Sequence, residues 1–479
     1  MSSPTPALSR SASLIAVIVL CFGGLTAALT QTLVIPIQSE LPSLLGSSAA
    51  NTAWVVTITL LAAAVSMPVA GRLADLFGKQ RILVATAAFL VVGSMVCALS
   101  NTLGPILVGR GMQGVAMGFI PVGISLMREI TPPDLSATAM AAMSATLGVG
   151  GAIGLPLSAW IVEVGDWHTL FWVATALGVV VLALSWFAVP HVHDAQSGRF
   201  DLPGAVGLAI GLISVLVGIS KATTWGWGDP RTLGAITVGL IVLVAWGAFE
   251  LRQSDPLVDL RTSAQLPVLM TNIAALAIGF GMMAQAIVVP QLLQLPEETG
   301  YGLGQTILQA GLWMAPGGLM MMLFAPVSSR LIRGIGAKHT LMIGAAVLGA
   351  GYLVAFFLMA APWQLLVASC VASAGVGIGY AAMPTLILDA VPVREAASAV
   401  GLNSLMRSAG TTIAAAVMGT VLTSSTNTFG GFEVPTLGAF QACFAAGALA
   451  AFLGVAITAT IPRRTPDPVV PQSEVRTVA

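Results

Sequence analysis

The sequence predicts an all-α integral membrane protein of about fourteen spanning helices with both termini cytoplasmic, and three observations carry that prediction. The composition is 57% hydrophobic and only 8% charged, with a mean hydropathy of +0.94, whereas soluble domains are about 45–50% apolar. The apolar residues fall into runs that reach the roughly 20 residues a helix needs to cross the hydrocarbon layer. The few charges gather between those runs, because a central Arg, Lys or Asp costs roughly 2.5–3.5 kcal/mol on translocon scales.

The first span covers 14–36. Its apolar run, Leu14 to Ile35, follows a Ser/Pro/Thr tail carrying Arg10 and exceeds the roughly 7–15 residues of a signal-peptide core, so it reads as an uncleaved helix. The remaining spans are 52–70, 82–100, 104–127, 138–162, 169–189, 202–220, 232–251, 268–291, 304–328, 339–360, 363–388, 397–423 and 436–461. Gly71 to Arg81, GRLADLFGKQR, holds Arg72, Asp75, Lys79 and Arg81 and reads as a short hinge at a membrane face, between a helix ending near Ala70 and one starting near Ile82. Orientation follows from the basic residues. Arg110 and Arg407 fall inside spans and Lys221 and Arg231 flank one loop, while the rest, including Arg72, Lys79, Arg81, Arg128, Arg199, Arg252, Arg261, Arg330, Arg333, Lys338 and Arg394, belong to the termini or the even-to-odd connections. The opposite loops carry Glu40, Glu163, Asp166, Asp229, Glu297, Glu298 and Glu433, as an outer face should.

Several function classes are excluded. The formal net charge of zero and the pI of about 6.9 give no basic surface for nucleic acid. Cys21, Cys97, Cys370 and Cys443 lie singly in apolar runs, so they read as inert buried thiols with no disulfide or metal site. No Gly-x4-Gly-Lys-Ser/Thr loop exists to bind a nucleotide, and no cofactor is implied. A membrane-embedded enzyme would need clustered His, acid or Cys, and the nearest candidates, His191 and His193, lie in the polar linker HVHDAQSGRF.

The chain also repeats itself. Ser329 to His339, SRLIRGIGAKH, aligns with Gly71 to Arg81 at an offset of 258, with Asp75 replaced by Arg333, and GVAMGF at Gly114 echoes GVGIGY at Gly375 at an offset of 261. Two six-helix halves, 11–190 and 265–461, then flank an extra pair at 202–251, with tails at 1–10 and 462–479. Parallel halves around a midplane binding site are a common transporter plan. The GRLADLFGKQR segment resembles the loop between the second and third helices of major facilitator superfamily transporters. With fourteen spans and the FDLPGAVGL and WGWGDP segments at the seventh helix, the chain is similar to the fourteen-helix drug:proton antiporter family of that superfamily. That resemblance implies a major facilitator fold and a monomeric secondary transporter, in the cytoplasmic membrane of a bacterium, that exports amphipathic drugs or antibiotics in exchange for protons. A dedicated metabolite or self-resistance exporter, and a weakly coupled or uptake transporter, remain open alternatives.

The resemblance also implies roles. Gly71, Arg72, Asp75, Gly78, Lys79 and Arg81 form a conformational latch that ties neighbouring helix ends in one state. Arg110, with Gln113 and Gly114, matches the fourth-helix motif tied to proton coupling; a structural Arg bonded to helix-end carbonyls is the alternative. Gly148, Gly150, Gly151 and Gly154, followed by Pro156, give the fifth span a close-packing face similar to an antiporter signature, although Leu155 separates Gly154 from Pro156. Arg407, in text from Asn403 to Gly410, lies about 15 Å into its span at 1.5 Å per residue, with a substrate or a structural role equally open. Proton antiport needs a titrating group, and no acid falls in mid-span: where relatives carry Asp in the first helix this chain has Thr30. Helix-end acids such as Asp75, Glu129 and Asp389 are the remaining carriers. Thr30, Gln31, Thr32, Gln113, Asn272, Gln285, Gln309 and Asn403 could line a cavity, with Met282, Met283, Met314 and Met320 to Met322 as adaptable walls. With Arg110 and Arg407 near it, such a cavity favours neutral or anionic amphipaths over quaternary cations.

Overall fold

The computed structural model describes residues 9–462 apart from 36, 39, 192–197, 430 and 431. The expected tails fall almost wholly outside the described residues, as does His193, while His191 is exposed. The long helices are α1 Arg10–Thr32, α2 Trp54–Phe77, α3 Lys79–Ala98, α4 Leu103–Ile130, α5 Pro133–Val164, α6 His168–Phe187, α7 Leu202–Trp225, α8 Pro230–Glu250, α9 Leu266–Gln294, α10 Ile307–Phe357, α11 Pro362–Ala390, α12 Val393–Ser424 and α13 Leu437–Ala459. A two-stranded antiparallel hairpin, Thr426–Phe429 with Phe432–Pro435, joins α12 to α13.

Among the described residues, twelve helices are long and apolar enough to cross a membrane, and α5, bent by 42° between Gly151 and Pro156, makes a thirteenth. The 51 residues of α10 would extend about 75 Å as one rod, more than twice the roughly 30 Å hydrocarbon thickness. Gly336, at φ 83° and ψ 161°, breaks α10 into two helices.

The hinge expected at 71–81 is shorter than the hydropathy suggested. α2 continues to Phe77 and α3 starts at Lys79, leaving Gly78 (φ 99°) as the whole joint. Hydropathy marks where the apolar layer ends, but the backbone ladder runs on until a residue leaves helical φ/ψ, and a positive φ suits glycine alone without strain. Arg72 and Asp75 therefore project from a helix, where neighbours can grip them.

Each half has its own core. Leu292, Leu341, Tyr352, Phe440 and Phe444 centre the second. Leu20, Met67, Leu83, Phe119 and Met143 centre the first, which continues without a break into Ile387, Leu388, Ala397 and Val400 of the second half. The extra helices α7 and α8 pack on each other, and Leu216 of α7 joins Leu61 and Ala64 of α2 and Leu405 of α12. They lie beside the α2–α12 crossing, where the halves meet.

Candidate functional site

A cavity of about 820 Å³ lies between the halves, walled by α1, the 33–53 connection and α5 on one side and α9, α10 and α11 on the other. It reaches the face formed by the 33–53 connection, through Gln38 and Pro42, and by the ends of α9 and α10, through Gln294 and Leu308. Every side chain lining it is neutral. Of the expected lining residues, Thr32, Gln285, Met282, Met314 and Met321 are present. Gln285 Nε2 donates to Ser373 Oγ at 3.1 Å, which fixes a polar spot on an otherwise apolar wall. Gln38, Thr52, Gln294 and Ser373 also line the cavity and were missed, since single polar residues at span ends carry no periodic signal.

Other expected residues are placed elsewhere. Thr30 and Thr32 differ by about 200° around α1, so both cannot face one cavity; the Thr30 hydroxyl bonds back to Ala27 O at 2.7 Å. Gln31 is half-buried and Gln309 is used in the capping box of α10. Asn403 donates to Asn272 at 3.0 Å in a buried pair tying α12 to α9. Arg407 is buried with its guanidinium 4.2 Å from the centre of the Tyr380 ring, a cation–π contact. Neither Arg407 nor Arg110 lines the cavity, so the positive wall expected from them is absent there.

Arg110 is buried, and its guanidinium is met by helix-end carbonyls. Nε donates to Val55 O at 3.1 Å, and Nη1 to Thr30 O at 3.0 Å and to Gln113 Oε1 at 2.7 Å; Gln113 Nε2 passes the chain on to Ser94 at 2.8 Å. Thr30 O is among the last four carbonyls of α1, which lack intrahelical donors and carry the negative end of the helix dipole. One side chain thus joins α1, α2 and α4, and through Gln113 α3. Gly114 lets α4 approach, since a Cβ there would meet the Thr59 carbonyl.

The glycines of α5 divide their work. A Cβ at Gly150 or Gly154 would strike α1, one at Gly148 would strike Met321 of the other half, and Gly151 and Pro156 face the cavity.

The opposite end of the interface is shut. Asp75, buried, accepts from the backbone N–H groups of Ala397 at 3.2 Å and Ser398 at 2.9 Å. These lie in the first turn of the α-helical part of α12, Ala396–Ser424, whose N-cap Glu395 makes no side-chain cap bond. The carboxylate of one half therefore caps a helix of the other, in the favourable field of its N-terminus. Gly71 and Gly401 allow the contact: a Cβ on either would strike the backbone of the facing helix. Lys79 forms a buried ion pair with Glu129, not with Asp75, and Arg128 bonds Leu388 O and lies 3.5 Å from Asp389. Arg72 Nε is buried without a partner among the described residues, and Arg81 is exposed. Of the three candidate helix-end acids, Asp75 and Asp389 thus meet partners across the halves, while Glu129 ties α4 to α3 within the first half.

The chain is similar to known proteins over most of its length. The MFS-type transporter YhcA of Bacillus subtilis is 28% identical over 328 residues, 68% of this chain and 60% of YhcA, so this match spans less than two thirds of that relative. A protein of Pectobacterium atrosepticum provisionally named multidrug resistance protein MdtD is 26% identical over 466 residues, 95% of this chain and 96% of its own. The crystal structure of the human organic anion transporter MFSD10 superposes with a TM-score of 0.64 at 15% identity, covering 93% of this chain and 99% of that one, a likeness of fold. The family model described as Major Facilitator Superfamily matches residues 20–333 and 271–478, and the chain accordingly belongs to that superfamily, as a multi-pass membrane transporter and not an enzyme.

Proposed function

We propose that this chain is a monomeric exporter of neutral amphipathic small molecules, drugs and antibiotics among them, working by alternating access and proton exchange in the cytoplasmic membrane of a bacterium. The carrying observation is the neutral 820 Å³ cavity, reached from one face while the Asp75 cap on α12 shuts the other. Apolar walls with methionines and a few neutral hydrogen-bonding groups suit loosely specific ligands. A lipophilic cation would find no countercharge there, and an anion none either. Relatives named for multidrug resistance favour export.

Reading α10 as two crossings gives fourteen, which puts both termini on the cytoplasmic side together with the basic connections. In this arrangement the cavity faces outward and the acids at the cytoplasmic gate are engaged. Protonating Asp75 would weaken its hold on α12, so a proton arriving there favours opening inward.

A drug-susceptibility panel in an efflux-deficient host tests the reading. The native chain is expected to raise resistance to neutral amphipaths, and Arg110→Ala and Asp75→Asn to abolish it. In vesicles, an imposed pH gradient should drive substrate movement; an unchanged rate would sink proton exchange, and export of a dicationic dye as fast as a neutral one would sink the substrate class.

A further inference from the structure

The extra helices hold two buried carboxyl groups that play no part in the cavity or the gate. Asp201 caps α7 and Glu250 ends α8, and they are 9% and 2% exposed. Each commits one oxygen to backbone: Asp201 Oδ1 accepts from Gly204 N at 2.8 Å, and Glu250 Oε2 from Leu257 N at 3.0 Å. The other oxygen of each, Asp201 Oδ2 and Glu250 Oε1, is buried with no hydrogen-bond partner among the described residues; the Trp246 indole N–H, likewise buried and without a partner there, and the Val258 N–H lie beside Glu250. Both crowd the point where a Cβ on Gly204 would sit, so they face one another over that glycine.

Two facing carboxylates removed from water cannot both stay ionised without a cation between them. Among the described residues, none supplies such a cation at this corner. Helices α2 and α12 present apolar Val69 and Leu402 to this corner, with Arg72 one turn further along α2. On the adjoining segments Arg199 and Arg252 are exposed, Asp259 is taken up by the N–H groups of Arg261 and Thr262, Arg261 bonds Leu251 O, and Asp255 lies beside Gly198. We propose that Asp201 and Glu250 form a proton-binding site, in which a single proton is held as a carboxylic acid donating to the facing carboxylate. Taking a proton from solvent satisfies both orphan oxygens. Returning it leaves two opposed anions that push the 251–258 segment away from α7. Leu257 and Val258 pack with Ala205 and Leu208 against Val69 and Leu402, so the proton's presence is felt at the α2–α12 crossing. The inference stands whatever the cavity carries.

The test uses the full-length protein, purified without substrate, and the variants Glu250→Gln and Asp201→Asn, each of which keeps the oxygen that serves the backbone. Infrared difference spectra near neutral pH should show a carboxylic acid C=O band in the native protein that both variants lose. The folded pair keeps a proton that the unfolded carboxyls, with pKa about 3.9 and 4.3, have released. Native melting temperature should therefore fall as pH rises from about 4.5 to the pH at which the pair loses its proton, and the fall should flatten in either variant. A native protein without the band overturns the proposal even if neither variant folds. So does a band and pH profile unchanged by substitution. Stabilisation of the native protein, but not of Glu250→Gln, by sodium or magnesium at fixed pH would show that a metal ion bridges the pair, and would also overturn it.

Discussion

The two copies of the basic segment share a backbone and differ in what their charges reach. Gly78 and Gly336, 258 residues apart, break their helices at φ 99° and 83°. In the first copy Asp75 is buried against the N-terminus of α12 and Lys79 is buried against Glu129. In the second, Arg333 stands where Asp75 stood, exposed, donating to Asp134 O at 2.7 Å in the first turn of α5, and Lys338 donates to the carbonyls of Ala459 and Ile461 at 2.8 and 2.5 Å. A carboxylate at a helix N-terminus gains from the dipole, while a guanidinium in the same place does not. The two similar segments thus differ in kind: only the first places a carboxylate on the N-terminus of a helix in the other half.

The largest expected difference between the copies is in stability. Glu129→Gln leaves Lys79 charged, buried and unpaired, and should cost about 3 kcal/mol, whereas Lys338→Met should cost under about 1 kcal/mol because its partners are helix-end carbonyls. Thermal unfolding of both variants in one detergent makes the comparison, and equal losses would erase the distinction.

Next comes the gate itself. Asp75→Asn removes the charge from its two N–H bonds, worth about 2 kcal/mol, so the Ala397 and Ser398 amides should exchange with solvent roughly 30-fold faster. Arg333→Ala should change exchange in the first turn of α5 by less than about 2-fold, as expected for an exposed contact.

The smallest effect exchanges residues between copies. Gly71→Ser places a side chain against the Ala397 carbonyl, an overpacking of about 1–2 kcal/mol that should slow transport. Ser329→Gly, its counterpart, should leave transport near native. Transport assays on the two single variants suffice, and a Gly71→Ser protein with full activity would mean that the crossing has slack.

Much of this was legible in the sequence, for physical reasons that also mark where it stopped. Hydropathy located the long apolar helices, because a membrane sorts residues by polarity, and the internal repeat suggested the halves. Arg110 stood out because its charge cannot sit in hydrocarbon unpartnered, and it has carbonyl partners from α1 and α2. Lys79 pairing with Glu129, and Asp75 with backbone amides 322 and 323 positions away, are long-range facts that no local pattern encodes. The cavity was half legible: Gln285 announced itself as a polar residue in an apolar run, but Ser373, its partner, is too small to do so.

Under the proposed function, a neutral molecule held against this unionised cavity wall crosses the membrane without charge of its own. Each proton exchanged for it is then a net charge moved through the membrane field, worth about 2.3 kcal/mol per 100 mV. Export of this kind is electrogenic: it draws on the transmembrane voltage as well as on the pH difference, and it continues when internal and external pH are equal.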